Sequence, residues 1–199
     1  PFYYAKMNGT FMYASEIKSL LRHPDFVKEL NAEALKPYMT FQYPAIGETF
    51  FKGVYKLPEG HYFTYQDGKM DIHRYYDEDF REGKQKLGEL VNSIDQTVCD
   101  SVKAHQIADV EVGSFLSSGV DSSYVAAVAR PQHTYSIGFG KGTYNESQQA
   151  GELAELLKLN NTAESLTDEE AFAAFPRIQW HLDEPDSNPS CVPLYFLSA

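Results

Sequence analysis

The residues best suited to chemistry form one short polar segment, 114–123 (SFLSSGVDSS). An apolar run precedes it and a short segment of helical spacing follows, so it is predicted to join a strand to a helix. A helix N-terminus offers unpaired backbone N–H groups and the positive end of the helix dipole, which attract anions. Serine hydroxyls add donors, and Gly119 permits a tight turn. The segment is therefore predicted to bind an anion such as a phosphate.

Asp121 is the unusual member of this segment because its carboxylate would repel a phosphate. A divalent cation between the two groups removes the repulsion, so the combination predicts Mg²⁺ with a nucleotide. The alternative is a simple helix cap in which Asp121 or Ser122 accepts first-turn N–H groups. The P-loop pattern G-x-x-x-x-G-K-[ST] does not occur in the sequence. Residues 138–142 (GFGKG) lack the spacing of a dinucleotide fingerprint and predict a flexible turn.

The elements before residue 76 are predicted to be mainly strands. Asn8-Gly9 and Asp67-Gly68 each separate two short β-prone runs, a pattern that is typical of β-hairpins. Short helices are predicted over Glu16–Arg22 and Asn31–Tyr38. The charged segment Asp77–Lys86 (DEDFREGKQK) predicts a linker, which places a domain boundary between residues 1–76 and 77–199.

Helices and strands alternate after this linker. Apolar residues recur every three or four positions from Leu87 to Val102, which predicts a helix with one apolar face. The predicted strands are Val110–Leu116, Thr134–Phe139 and Thr162–Leu166. The other predicted helices are Ser122–Val128, Glu146–Leu157 and one opened by the capping box Thr167-x-x-Glu170. The alternation predicts an α/β fold with a parallel sheet.

Composition excludes several classes of protein. The 199 residues include 17 Lys and Arg against 28 Asp and Glu, a net charge of −11, which argues against a free-standing nucleic-acid binder. No apolar run approaches the roughly 20 residues of a membrane span, and no signal peptide is recognisable, so a soluble cytoplasmic protein is expected. Cys99 and Cys191 do not indicate a disulfide framework, and Cys191 is predicted to be a packed thiol.

The string Ser117–Ser122 (SSGVDS) resembles the PP-loop, the S-G-G-x-D-S signature of the ATP pyrophosphatases, with Ser118 in place of the middle glycine. The surrounding sequence resembles the glutamine-hydrolysing asparagine synthetases. The segments that carry this second resemblance are 13–21 (YASEIKSLL), 49–62 (TFFKGVYKLPEGHY), 135–139 (YSIGF) and 182–185 (LDEP).

The resemblance implies two domains. Residues 1–76 would be the β-rich C-terminal part of an α+β class II glutamine amidotransferase domain, which uses an N-terminal nucleophile. Residues 77–199 would be the N-terminal part of a synthetase domain with the parallel sheet of the adenine-nucleotide α-hydrolase, or PP-loop, type. The family places a cysteine nucleophile at its N-terminus where this sequence has Pro1. The sequence is therefore expected to be a fragment that does not hydrolyse glutamine and is inactive by itself.

The resemblance also implies an activity. ATP and Mg²⁺ would adenylylate the side-chain carboxylate of aspartate, and glutamine-derived ammonia would displace AMP to give asparagine, in a homodimeric enzyme. Ser117, Asp121 and Ser122 would be catalytic, and Asp121 would bind the metal. Phe115 and Ile137 would contact adenosine. The full implied nucleotide-binding set is Phe115, Leu116, Ser117, Ser118, Gly119, Val120, Asp121, Ser122, Ser123, Ile137 and Gly138.

Other interpretations remain open from the sequence. The acidic cluster Asp183, Glu184 and Asp186 could approach the nucleotide or metal, or recognise a substrate ammonium group, with Asp183 and Glu184 as candidate substrate contacts; the alternative is a solvated loop. The function itself has two alternatives. One is a β-lactam-synthetase-like enzyme that adenylylates another carboxylate, and the other is a non-catalytic module that binds nucleotide or mediates assembly.

Overall fold

The computed structural model describes residues 1–80, 83–139 and 146–198. The chain forms two compact units. The first comprises Pro1–Arg81 with Gln179–Asn188, and the second comprises Glu82–Ile178 with Pro189–Ala199. The division at residues 81 and 82 falls within the charged segment that was predicted to be a linker. A short later segment, Gln179–Asn188, thus belongs with the N-terminal residues.

The first unit is built on an antiparallel sheet. Strands β1 (Tyr3–Met7), β2 (Thr10–Ala14) and β3 (Val54–Lys56) lie in the order β2-β1-β3. Asn8 and Gly9 take φ of +49° and +83°, as a tight two-residue turn requires, so the predicted hairpin is confirmed. The buried face carries the core of the unit, which consists of Tyr3, Ala5, Met12, Ile17, Leu20 and Val54.

The second predicted hairpin is also confirmed. Strands β4 (His61–Gln66) and β5 (Lys69–Arg74) pair across Asp67 and Gly68, whose φ values are +51° and +77°. Aromatic rings of β1, β2 and β4 pack together, and the Phe11 ring stacks on that of Tyr65 with centroids 4.1 Å apart. This packing is needed because an isolated two-stranded hairpin has little stability in water.

The helices of the first unit are short. Helix α1 (Ile17–Leu20) is shorter than predicted, and a 3₁₀ turn (Ala32–Ala34) leads into α2 (Leu35–Phe41), three residues beyond the predicted end. Asn31 starts this second segment, because its side chain accepts the N–H of Glu33 at 3.1 Å.

The second unit alternates helices and strands as predicted. Its helices are α3 (Leu87–His105), α4 (Val120–Ala129), α5 (Glu146–Leu157), α6 (Asp168–Leu182), whose last four residues belong to the first unit, and α7 (Cys191–Leu197). Its strands are β6 (Ser114–Phe115), β7 (His133–Phe139) and β8 (Asn160–Leu166), which pair in parallel in the order β6-β7-β8. The α/β class with a parallel sheet is therefore confirmed.

Of two local predictions in this unit, the capping box is confirmed and one strand is mostly wrong. The predicted capping box is present, since the Thr167 hydroxyl accepts the Glu170 N–H at 3.2 Å and the Glu170 carboxylate accepts the Thr167 N–H at 2.9 Å. The strand predicted over Val110–Leu116 is wrong for most of its length, because only Ser114 and Phe115 pair with β7. Val110 is 78% exposed, and the charged residues beside it favour water over a sheet interior.

Two further predictions concern the surface of the second unit. The apolar stripe of α3 lies on a helix, as predicted, but Leu87, Val91 and Ile94 are more than half exposed. The turn predicted at 138–142 lies partly outside the described residues, which stop at Phe139 and resume at Glu146. Within the described ranges, no helix is both long and apolar enough to cross a membrane.

Candidate functional site

The polar segment lies where its sequence predicts, between the C-terminal end of β6 and the N-terminus of α4. Ligands of open parallel sheets bind at this end of the strands. Gly119 is the N-cap residue of α4, and because it has no side chain, no side-chain hydrogen bond caps this helix. The cap interpretation of Asp121 and Ser122 is therefore wrong, because both residues lie inside the first turn.

Serine hydroxyls fix the shape of the loop. The Ser117 and Ser122 hydroxyl oxygens lie 2.7 Å apart, and the Gly119 N–H donates to Ser117 Oγ at 3.1 Å. The Ser123 hydroxyl donates to the carbonyl of Gly119 at 2.6 Å. These bonds bring two hydroxyl groups together at the start of the helix, so the loop is preorganised rather than held only by its backbone.

The first turn of α4 adds backbone donors to these hydroxyls. The N–H of Ser123 donates to the Gly119 carbonyl at 3.1 Å, which is a helical bond of the ordinary spacing. The N–H groups of Val120, Asp121 and Ser122 precede it and so lack a helical acceptor. The side chain of Asp121 lies in the same turn and is exposed.

A cavity of 660 Å³ opens beside this loop in the second unit. The loop side contributes Phe115, Leu116, Ser117 and Ser122, and β7 contributes Ile137, Gly138 and Phe139. Six predicted nucleotide-binding residues are thus brought together on its wall. The remaining five, Ser118, Gly119, Val120, Asp121 and Ser123, lie in the loop and first turn but do not line the cavity.

Another part of the cavity wall could not be predicted from the sequence. It consists of residues at and before helix α7, namely Pro189, Ser190, Pro193, Leu194 and Leu197. The proline-bounded apolar run could have indicated a packed helix, although not that it lines the same cavity as the loop. Cys191 packs against the buried cluster that includes Leu166 and Ile178, as expected of a structural thiol.

Asp183 lies in the first unit, where it contacts helix α1. Its carboxylate accepts the N–H groups of Ile17 and Lys18 at 2.9 and 3.1 Å. It also pairs with the Lys18 ammonium at 3.0 Å. Burial lowers the pKa of Lys18, but hydrogen bonds to Asp183 and Glu16 outweigh burial and leave this pKa raised. These contacts give the carboxylate a structural role at the helix N-terminus.

Glu184 also belongs to the first unit and is partly buried. Burial raises the pKa of its carboxyl group, against the opposing effects of the Phe50 amide and the Lys56 charge. Burial and the charge of Glu184 raise the pKa of Tyr3 to about 12. Within the described residues, Glu184 Oε1 is buried without a hydrogen-bond partner. Asp186 accepts the N–H of Asn188 at 2.9 Å in a local turn.

Comparison with known proteins identifies two family models along the chain. The model for asparagine synthase matches residues 93–199. The model for a glutamine amidotransferase domain matches residues 1–76.

Individual relatives match over the whole chain. The protein named asparagine synthetase (glutamine-hydrolyzing) 1 of Bacillus subtilis (strain 168) is 36% identical over 203 residues, covering 100% of this chain and 32% of its own length. A putative asparagine synthetase (glutamine-hydrolyzing) of Mycobacterium tuberculosis (strain ATCC 25618 / H37Rv) is 33% identical over 215 residues, with the same coverage. The chain thus spans about a third of the length of these relatives.

Among solved structures, an NH3-dependent NAD synthetase from Campylobacter jejuni covers 50% of this chain and 44% of its own, with 19% identity and a TM-score of 0.34. That similarity is too low to support an argument. The asparagine synthase model, in contrast, covers more than half of the residues. This chain belongs to the asparagine synthase family.

Proposed function

We propose that this chain carries part of the ATP site of a glutamine-hydrolysing asparagine synthetase. In the complete protein, ATP would adenylylate the side-chain carboxylate of aspartate, and glutamine-derived ammonia would displace AMP. The observation that carries the proposal is the β6–α4 loop, where two hydroxyls 2.7 Å apart meet the first-turn N–H groups of α4 beside a cavity. Membership of the asparagine synthase family supports it.

The cavity suits a nucleotide in size and chemistry. Its 660 Å³ lies within the range of about 300–1,000 Å³ that is typical of small-molecule sites. The loop end, with Ser117 and Ser122, would hold the pyrophosphate part, because hydroxyls and helix N–H groups donate to anionic oxygens. The apolar end, with Phe115 and Ile137, would take adenosine. This part of the chain would then have the PP-loop form of the parallel-sheet fold.

The donor set also fits one magnesium ion. Mg²⁺ in nucleotide sites binds one or two carboxylates together with phosphate oxygens and waters. Asp121 supplies one exposed carboxylate next to the phosphate-binding groups, and no cluster of three ligands is needed. When bound, the metal would offset the negative charge of the leaving pyrophosphate. The loop donors would stabilise the same charge without reorganising, since they are already fixed by Ser117 and Ser122.

The remaining features of the protein follow from the same proposal. Residues 1–76, which match a glutamine amidotransferase domain, would be the C-terminal part of the domain that supplies ammonia. The substrates would be small molecules, namely glutamine, aspartate and ATP. We also propose that the complete protein is a cytoplasmic homodimer. Asp183 and Glu184 make their contacts within the first unit, and Asp183→Asn distinguishes a structural role of this carboxylate from a substrate contact.

The test is isotope exchange between ATP and pyrophosphate in the full-length protein, with aspartate as the acceptor. Asp121→Asn should reduce the exchange rate at least about 100-fold. Loss of the carboxylate would weaken Mg²⁺ binding, and without Mg²⁺ the negative charge of the phosphates is not offset. Asp109→Asn removes an exposed carboxylate outside the loop and is the matched control. Wild-type exchange in the Asp121→Asn protein would refute the site. Exchange only with a carboxylate other than aspartate would favour the β-lactam-synthetase-like alternative.

A further inference from the structure

A buried polar cluster lies in the strands that lead to the loop. Thr134 and Ser136 of β7 are 0% and 2% exposed, although both carry hydroxyl groups. The side chain of Asn161 on β8 contacts both, with its Oδ1 2.9 Å from Thr134 Oγ1 and 3.0 Å from Ser136 Oγ. Because buried polar groups cost stability unless they are hydrogen-bonded, an apolar pair would be the simpler choice here. We therefore ask which backbone groups these two hydroxyls hold in place.

The two hydroxyls differ in their second partner. Thr134 Oγ1 lies 3.1 Å from the carbonyl oxygen of Asn160, within β8. Ser136 Oγ lies 2.8 Å from the carbonyl oxygen of Leu116, the residue that follows β6. Only the Ser136 hydroxyl thus reaches the segment from which the loop begins.

Leu116 is held by β7 through both of its backbone groups. Pairing between β6 and β7 ends at Phe115. Beyond that pair, the Leu116 N–H donates to the Tyr135 carbonyl at 2.8 Å, and its own carbonyl accepts the Ser136 hydroxyl. The next residue, Ser117, contacts Ser122 through its N–H at 3.3 Å and its hydroxyl at 2.7 Å. The orientation of the Leu116 peptide therefore sets that of the anion-binding donors.

The number of protons indicates which way these bonds run. Each hydroxyl has one proton, and each lies near both a backbone carbonyl and the Asn161 amide. All groups are satisfied if Asn161 presents its NH₂ end to the pair, because two N–H groups then meet two hydroxyl oxygens. The ends of an amide are assigned from such networks. The Ser136 and Thr134 protons are then free to bond Leu116 O and Asn160 O.

We propose that Ser136, oriented by Asn161, is a positioning residue that fixes the Leu116 carbonyl and so holds the β6–α4 loop ready for its anion. The proposal rests on the proposed function for the identity of that anion, which is the pyrophosphate part of ATP. The position of the loop itself can be tested without any ligand. Preorganisation matters because donors that must move before binding lose affinity.

The test compares Ser136→Ala with Thr134→Val, two variants that each remove one buried hydroxyl from β7. Hydrogen–deuterium exchange of the ligand-free full-length protein should be about fivefold faster at the amides of Ser117 and Gly119 in Ser136→Ala, the size expected for one lost hydrogen bond. Thr134→Val should leave these amides unchanged. The Kd for MgATP should rise about fivefold in Ser136→Ala only. Ser136→Thr, which keeps a hydroxyl, should restore both values.

Asn161→Asp is a second route to the same result. A carboxylate of equal size has no N–H groups, so it would accept the Ser136 proton and take it from Leu116. This variant should therefore loosen the loop as Ser136→Ala does, and it keeps the proposal testable if Ser136→Ala does not fold. Unchanged exchange at the loop amides in Asn161→Asp would overturn the assigned direction of the bonds and with it the role of Ser136.

The remaining outcomes separate this proposal from the proposed function. Equal loosening of the loop by Ser136→Ala and Thr134→Val would overturn it, because both hydroxyls would then be merely structural. No loosening by Ser136→Ala would overturn it as well. If the wild-type protein does not bind MgATP but the exchange difference holds, the proposed function fails while the positioning role of Ser136 stands.

Discussion

Substitution of Asp183 by asparagine separates the two roles that this residue could have. The sequence suggests a substrate contact, whereas the structure places the carboxylate on the N–H groups of Ile17 and Lys18 and on the Lys18 ammonium. Asparagine is the matched change because Asp183 has a φ of +65°, a conformation that asparagine tolerates and most other residues do not. Asp183→Asn therefore tests the charge and the acceptor groups without adding backbone strain.

The expected loss of stability follows from the contacts. The Asp183 side chain is 6% exposed and that of Lys18 is 13% exposed, so the pair is poorly screened by water. Asparagine keeps one acceptor oxygen, but its NH₂ group faces a donor, and Lys18 keeps only Glu16 at 3.3 Å. A hydrogen bond to a charged group contributes about 1.5–3 kcal/mol. The first unit should therefore lose roughly 2–4 kcal/mol of unfolding free energy.

The assay is urea unfolding followed by the fluorescence of Trp180, the single tryptophan in the sequence. Trp180 belongs to the same short segment as Asp183, so its signal reports on the first unit. A loss of about 3 kcal/mol should lower the midpoint by roughly 1.5 M if the slope is about 2 kcal/mol/M. Asp186→Asn, which removes a charge but keeps an oxygen to accept the local turn bond from Asn188, is the control and should shift it much less.

The opposite result would restore the sequence-based hypothesis. If Asp183→Asn unfolds at the wild-type midpoint while ATP–pyrophosphate exchange with aspartate collapses in the full-length protein, then Asp183 is a substrate residue. The structural role argued from its contacts with α1 would then be wrong.

Two further predictions concern the first unit. Gly60→Ala should destabilise it by at least about 2 kcal/mol more than Gly68→Ala. Both glycines have positive φ, but only at Gly60 would the new Cβ lie 2.6 Å from a backbone oxygen, that of Tyr76. Equal losses of stability for the two variants in urea unfolding would contradict this. Glu184→Gln should raise the unfolding free energy at pH 7, because the raised pKa of Glu184 shows that the fold disfavours its charge. The gain should vanish well below the ordinary glutamate pKa of 4.5, where the carboxyl group is protonated in the folded and the unfolded protein, and a gain that persists in full at pH 3 would refute burial as its cause.

The parts of the fold that sequence predicts well are those decided by neighbouring residues. Asn8-Gly9 and Asp67-Gly68 specify tight turns because these residue types accept positive φ, whatever lies around them. The bounds of α5 and the capping box at Thr167 are likewise determined by residues close in the sequence. The short β6 was harder to predict, since valines at 110 and 112 favour a strand while the charged residues beside Val110 favour water, and the pairing with β7 decides between them.

The candidate site likewise has a part that the sequence predicts and a part that it does not. Its loop could be predicted because the motif is contiguous and its strand–helix context is local. The wall formed by Leu194 and Leu197 could not, because those residues line the cavity from more than 70 positions beyond the loop. Ser136 was missed for a similar reason, since a serine within a strand pattern gives no sign that its hydroxyl bonds a carbonyl 20 residues earlier.

The return of Gln179–Asn188 to the first unit has a consequence for synthesis on the ribosome. The N-terminal segment of this unit ends at Arg81, but the carboxylate that bonds α1 lies about a hundred residues beyond it, at Asp183. At translation rates of about 5–20 residues per second, the first unit waits roughly 5–20 s for its last segment. During that interval, the amide groups of Ile17 and Lys18 lack this acceptor and are left to bond water.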